Sequence, residues 1–237
     1  MMNINKIIES FKVIDINLSD QQAKQFSIYY SELILWNDKI NLTSILEEDA
    51  VLSKHFVDSV LSTRVMNYKD VKKLIDVGTG AGFPGIPLKI IYPHIEVVLL
   101  DALNKRVAFL NHIIKKLDLS NIYAIHGRAE DLARTELRES FDLCVSRAVS
   151  QLNVLCEYCL PFISNKGLFI SYKGNKTLEE LDQSKNAIHI LGGVLERVVE
   201  DVSLDANTDR GFVMIRKVFE TDMRYPRRSG KPLKKPL

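Results

Sequence analysis

The sequence predicts an α/β protein: a mostly parallel, seven-stranded sheet with helices on both faces, closed by a C-terminal antiparallel hairpin and preceded by a helical cap. Three observations carry that prediction. From Lys73 onward, short apolar runs of strand length alternate with amphipathic stretches of helical length, the pattern of a covered parallel sheet. The first strand ends in a glycine-rich turn that opens a helix. The last two strands leave no room for a helix between them, so they pair as a hairpin.

Residues 1–70 form the expected cap. Ser19 with Gln22 is a capping-box pattern, and Ala23, Phe26, Tyr30, Leu33 and Ile34 follow at helical spacing. Trp36–Thr43 reads as a polar connector, Ser44 with Glu47 as a second capping box, and Leu52, Phe56 and Val60 as the apolar face of the next helix. The sheet domain spans residues 71–219, with strands expected at Leu74–Val77, Glu96–Leu100, Ile122–Ile125, Phe141–Val145, Leu168–Tyr172, Val194–Val202 and Phe212–Val218. Helices are expected through Phe109 and Leu117, through Leu152 and Cys159, and from Leu178 to Ile190. A turn containing Asp209 and Gly211 joins the last two strands. Residues 220–237 are a basic tail whose Pro226, Pro232 and Pro236 argue for an extended, mobile arm.

Composition excludes several classes. With 237 residues, 46% hydrophobic and 26% charged, the chain has ample material for a core. No apolar run approaches a membrane span, and no secretory stretch opens the chain. Three cysteines do not suggest a disulfide framework, so a soluble, cytoplasmic protein is expected, a monomer by default. The net charge of +2 hides an asymmetry: Arg224, Arg227, Arg228, Lys231, Lys234 and Lys235 share the tail with no acid. The body is therefore mildly acidic, and the tail is a cation suited to a polyanionic partner.

The candidate ligand site begins at Asp76-Val-Gly78-Thr-Gly80-Ala-Gly82-Phe83-Pro84-Gly85. Gly80-x-Gly82-x-x-Gly85 with Asp101 downstream fits a dinucleotide pattern. Its phase is awkward, because Asp76-Val-Gly78 stands where that pattern should start. An acid at a strand tip followed by Gly-x-Gly-x-Gly looks instead like the S-adenosylmethionine loop of class I methyltransferases, since a sulfonium tolerates a carboxylate that would repel a pyrophosphate. Later strand ends support a nucleoside site. Asp101 could accept both ribose hydroxyls, Ala129 and Glu130 suit an adenine edge, and Arg147 suits a carboxylate or phosphate. Each residue read singly is also compatible with a cap or a solvated loop.

Leu74–Lys89 resembles the corresponding run of the bacterial RsmG family, also called glucose-inhibited division protein B. So do Asp101–Leu110, Arg128-Ala-Glu130, Phe141–Ala148, Tyr172-Lys-Gly174, Trp36–Thr43, His55-Phe-Val-Asp-Ser59 and the Tyr-Pro-Arg-Arg tail. The resemblance spans nearly the whole chain. It implies a class I (Rossmann-like) S-adenosylmethionine-dependent methyltransferase that modifies guanine N7 in 16S rRNA of the small ribosomal subunit. Cofactor contacts carried over position by position are Gly78, Phe83, Ala129, Glu130 and Arg147; Asp101 joins them as a ribose ligand.

Guanine N7 carries a lone pair and no proton, so that chemistry needs alignment rather than a general base. The chain lacks the Asn/Asp-Pro-Pro-Tyr run of exocyclic-amine methylation and a Pro-Cys nucleophile. Arg147 and Lys173 are the candidates for orienting the target nucleotide, and the six basic tail residues for RNA phosphates. Cys156-x-x-Cys159 reads as buried thiols, and the five histidines show no metal spacing. His55 and Asn41 lie in family-like segments, His55 as a packed helical residue and Asn41 as a possible RNA contact. Trp36, Tyr29 and Tyr30 pack the cap or stack on bases. Three other readings stay open: a dinucleotide-dependent oxidoreductase, a non-catalytic RNA-binding assembly factor, and a small-molecule methyltransferase.

Overall fold

The structure, a computed structural model, describes residues 1–174, 177–200, 202 and 210–237. Helix α1 (Ile4–Lys12) is capped by Asn3, whose side chain accepts from the amides of Asn5 and Lys6. Helix α2 (Asp20–Ile40) opens on the expected Ser19–Gln22 capping box. It runs through most of the segment that reads as a connector. The polar residues there are compatible with helix because Asn37 turns inward and accepts from the Thr43 amide at 2.8 Å. Asn41, φ 50°, ends the helix in the left-handed region, which gives it a local structural role.

The second expected capping box does not form. Glu47 itself precedes α3 (Glu48–Val51), and its carboxylate accepts from the amides of Asp49 and Ala50. The Leu52–Val60 stretch is not a regular helix either. A π-helical turn (Leu52–Val57) leads into α4 (Asp58–Val60) and a 3₁₀ turn (Leu61–Arg64). Such widened turns recur at functional sites, and this one presents His55 and Asp58 to the sheet edge.

The sheet units follow: β1 (Lys73–Val77), α5 (Gly85–Ile91), β2 (Glu96–Asp101), α6 (Asn104–Lys116), β3 (Ile122–His126), α7 (Ala129–Leu132), β4 (Phe141–Arg147), α8 (Leu152–Cys159), β5 (Ile163–Lys173), α9 (Thr177–Ile190), β6 (Gly193–Val199) and β7 (Gly211–Lys217). The seven strands lie in the order β3-β2-β1-β4-β5-β7-β6. The first five run parallel, and β7 is antiparallel to both β5 and β6. Relative to the sequence reading, β5 starts earlier and β6 ends earlier; Asp209 lies outside the described residues. Strand order reverses between β1 and β4, which opens a crevice at the carboxyl ends of the strands.

Alternation along each strand separates two cores. Leu74, Leu99, Leu143, Ile170 and Tyr172 face the cap, packing with Phe11, Phe26, Tyr29 and Phe56. Ile75, Val98, Cys144 and Phe169 face the other way, against Leu155, Cys156 and Cys159 of α8. All three cysteines are free and buried. Among the described residues no helix is long and apolar enough to cross a membrane.

The tail is not an extended arm. Arg227 forms a fork on the buried Glu157 carboxylate, 2.6 Å from Nη2 to Oε2. Arg138 donates to the main-chain oxygens of Thr221 (2.5 Å) and Tyr225 (3.0 Å), and Arg134 to that of Pro226. A last turn, α10 (Lys231–Lys234), begins with proline in its first positions, where a missing N–H costs nothing. Composition suggests mobility, but these side chains satisfy the irregular backbone and hold it against the body.

Candidate functional site

The glycine loop leaves β1 and folds back on β2. The amides of Gly78 and Thr79 donate to Leu100 O at 2.8 and 3.1 Å. Asp76 is fully buried, and its Oδ2 accepts from Thr79 Oγ1 at 2.6 Å and from the Gly85 amide at 2.8 Å. Burial pushes its carboxyl up to about 7, against those two hydrogen bonds. Asp76 thus braces the loop from inside, which corrects the expectation that it faces the ligand's charge. A Cβ at Gly85 would come within 2.9 Å of that Asp76 oxygen, so only glycine permits this brace.

The brace also bears on the ligand. A dinucleotide pyrophosphate sits on the N-terminal amides of the helix after the glycine loop. Here the Gly85 amide goes to Asp76, the Ile86 amide to Gly82 O, and Pro87 has none. The dinucleotide reading therefore loses its phosphate site.

Beside the loop lies a cleft of about 90 Å³, open to solvent and lined by Gly78, Asp101, Ala129, Glu130, Val149 and Tyr158. Asp101 ends β2, and its two oxygens accept from the amides of Gly80 and Leu103, both at 2.9 Å. Arg106 stands at 3.4 Å from the same carboxylate. Helix α7 points its first turn at the cleft, and Arg128 supplies no side-chain cap there. Glu130 is buried, and its Oε1 accepts from the Gly230 amide of the tail at 2.9 Å. Burial pushes the Tyr158 phenol up to about 12, so it stays protonated. Gly78 has φ +76°, and a Cβ on it would fall 2.4 Å from Val149. The set suits a nucleoside: a ribose-sized carboxylate, an uncapped helix turn beside an acid, and apolar walls.

Phe83, Arg147 and Lys173 do not line that cleft. Phe83 packs between His55 (4.6 Å) and Tyr29 (5.3 Å) in stacked geometry, and the Tyr29 hydroxyl donates to Ala81 O at 2.5 Å. The cap thereby clamps the glycine loop. Arg147, at the end of β4, lies 5.2 Å over the Phe83 ring and donates to Asp58 Oδ2 at 2.5 Å and Lys54 O at 3.2 Å. Lys173, at the end of β5, donates to Glu180 Oε2 at 2.5 Å and Ser150 O at 3.0 Å. His55 is half-buried, with Nε2 2.8 Å from Thr43 Oγ1. Burial and the Arg147 charge lower it to about 4, so it is neutral at pH 7.

Of the tail cations, Arg227 pairs with the buried Glu157, Arg224 pairs with Asp222 while staying exposed, and Arg228, Lys231, Lys234 and Lys235 are exposed. Trp36 is half-buried and packs on Phe109 at 5.6 Å, and Tyr29 is fully buried, so Tyr29 does not stack on a base. Among the described residues no cluster of His, Cys, Asp or Glu could hold a metal ion. Sequence reasoning missed Asp58 and Arg210. Asp58 sits in the quoted His55–Ser59 segment, where the histidine drew the attention; Arg210 carries no local pattern.

A family model described as GidB, rRNA small subunit methyltransferase G, matches residues 22–223. A curated relative from Lachnoclostridium phytofermentans, named ribosomal RNA small subunit methyltransferase G, is 47% identical over 238 residues, covering 100% of this chain and 98% of its own. One of the same name from Macrococcus caseolyticus is 45% identical, covering 100% and 99%. Among solved structures, the O-methyltransferase of Bacillus cereus in complex with SAH superposes at TM-score 0.56 with 16% identity, covering 80% of this chain and 90% of that one. The [4+2]-cyclase SpnF superposes at 0.58 with 11% identity, covering 84% and 96%. These likenesses establish the fold alone, and a cyclase among them illustrates that the fold does not fix the chemistry.

Proposed function

Because the chain belongs to the rRNA small subunit methyltransferase G family, we propose that it transfers a methyl group from S-adenosylmethionine to N7 of a guanine in the 16S rRNA of the small ribosomal subunit. The observation that carries this reading is the cleft lined by Asp101, Ala129 and Glu130 beside a glycine loop whose helix turns its first amides inward, away from a pyrophosphate.

When bound, the cofactor supplies an electrophilic methyl carbon on a sulfonium. Asp101 accepts from the ribose hydroxyls, keeping the lone pairs that the Gly80 and Leu103 amides do not use. The first turn of α7 donates to the adenine ring, and Glu130 accepts from its exocyclic amine. Gly78 allows the chain to approach the ligand without a Cβ in the way. Phe83 acts indirectly, by holding the loop against the cap. Arg147 and Lys173 face the target side of the edge. Guanine N7 has no proton to lose, so the enzyme's task is alignment and exclusion of water. The chemistry of this edge agrees: His55 is neutral, engaged with Thr43, and not needed as a base. The exposed tail cations, Arg228, Lys231, Lys234 and Lys235, bind rRNA phosphates.

The experiment is methyl transfer from labelled S-adenosylmethionine to small-subunit RNA, with the modified guanine located by N7-selective strand cleavage. S-adenosylhomocysteine binds and NAD does not. Label on another atom, or NAD binding in its place, overturns the proposal.

A further inference from the structure

The target side of the strand edge holds one feature that the proposed reaction leaves unexplained. Asp58 is 2% exposed and receives two guanidinium groups. Arg147 Nη1 lies 2.5 Å from its Oδ2; Arg210 places Nε 2.6 Å from Oδ1 and Nη2 2.9 Å from Oδ2. Arg210 also donates to Lys173 O at 3.1 Å and lies 6.0 Å over the Tyr172 ring. Arg147 comes from the end of β4, Arg210 from the approach to β7, and Asp58 from the turn after the π-helical segment. Three remote pieces of chain therefore meet at one carboxylate.

Among the described residues the charge does not balance. Lys173 and Glu180 neutralise each other at 2.5 Å, but one Asp58 carboxylate faces two guanidinium groups, both largely buried. A purely structural pair would need one arginine, and buried ion pairs are weak stabilisers at best. An excess positive charge held at the ligand-facing edge is a receptor for one anionic group. Arginine is suited to this, because its planar fork binds an oxyanion with directed hydrogen bonds.

We infer that Asp58 is a positioning residue that holds Arg147 and Arg210 as a two-guanidinium clamp, and that the anion the clamp receives is an RNA phosphodiester next to the target nucleotide. This rests on the rRNA methyltransferase reading and deepens it. Asp58 fixes the direction of both forks and cancels half their charge, so the clamp is ordered before RNA arrives. Arg210 is the outer member, its side chain 17% exposed against 9% for Arg147. It is therefore the one that an incoming phosphate meets first.

The test uses the full chain, small-subunit RNA and three variants, Arg210→Ala, Arg210→Lys and Asp58→Asn. Thermal unfolding of each is recorded beside S-adenosylhomocysteine binding. For Arg210→Ala, KM for RNA rises about tenfold and the slope of log affinity against log salt becomes shallower by roughly 0.7 to 1, the value of one lost phosphate contact. Cofactor affinity stays within about twofold. Arg210→Lys keeps the slope and recovers part of the KM. Asp58→Asn leaves two uncompensated guanidinium groups, so the salt slope steepens while kcat falls at least about tenfold, because charge is gained and direction is lost. A merely structural Asp58 would lower stability without steepening that slope. Loss of cofactor affinity in Arg210→Ala, or wild-type salt slopes in Arg210→Ala and Asp58→Asn, overturns the clamp while RNA methylation by the wild type keeps the functional reading. A wild type that neither binds nor methylates the RNA overturns both.

Discussion

The two halves of the strand edge hold their charged groups by opposite means. On the β1–β2–β3 side, the carboxylates of Asp101 and Glu130 are fixed at short range by main-chain amides, Gly80, Leu103 and Gly230, with Arg106 standing farther off at 3.4 Å from Asp101. On the β4–β5 side, Arg147, Arg210 and Lys173 are cations fixed by carboxylates, Asp58 and Glu180. An amide carries no net charge, so it orients a carboxylate without neutralising it. A carboxylate partner orients a cation and cancels its charge as well. The first arrangement suits a neutral, donor-rich nucleoside, and the second an anion that exchanges with a protein partner.

The largest expected effect tests whether the tail staples the nucleoside side. Arg227→Ala leaves the buried Glu157 carboxylate without its counter-charge and with only the residue-227 amide as donor, which costs about 3 kcal/mol. Thermal unfolding reads the loss, and combining it with Glu157→Gln recovers part of the stability. If the single variant melts like wild type, the tail is not a staple. Next comes Gly78→Val. It combines φ +76° with a Cβ that Val149 does not admit, so S-adenosylhomocysteine affinity falls about 100-fold while RNA affinity is kept, which separates the two sides. Equal loss of both ligands would break the comparison.

The third effect lies on the cap side and depends on pH. His55 is lowered to about 4, below the 6.5 of an unfolded histidine, so the unfolded chain binds the extra proton between those values. Its stabilising contribution is complete above 6.5 and is lost as pH falls toward 4. Asp76, raised to about 7, has the opposite sign, its contribution being lost as pH rises through 7. Comparing wild type with His55→Phe isolates the histidine, since Asp76 is common to both. From pH 7 to 5 wild type loses about 2 kcal/mol more than the variant, read by denaturant unfolding. The smallest effect is Glu130→Ala, which removes one charged acceptor and one tail contact. Cofactor affinity drops about tenfold by calorimetry and kcat on saturated enzyme changes little. A kcat loss at unchanged affinity would move Glu130 to the chemical step.

Much of the sheet was legible because period-2 apolar runs and a glycine turn are local signals. Misread elements had local signals that distant partners overrode. Trp36–Ile40 is polar yet helical because Asn37 serves the following loop. Ser44 and Glu47 match a capping box, but the Glu47 carboxylate takes the cap alone. The proline-rich tail is docked because Arg134, Arg138 and Glu157, far away in the chain, supply its partners. At the site, the residues of the cleft fall at strand ends, where sequence position predicts spatial position. Asp58 lies on no strand, and Arg210 stands just before β7, whose antiparallel pairing brings its start to the same edge as the end of β5; only their meeting reveals them.

The sequence by itself determined the alternation of strand and helix, the glycine loop after β1 and the row of polar residues at the strand ends. Each of these depends on side-chain period or on backbone freedom within a few residues. Tertiary structure alone decided that Asp76 turns inward, that the tail folds back onto Glu130 and Glu157, and that one buried acid holds two arginines. Those outcomes depend on which groups are removed from water together, because a buried charge must find its partner wherever the fold brings one near.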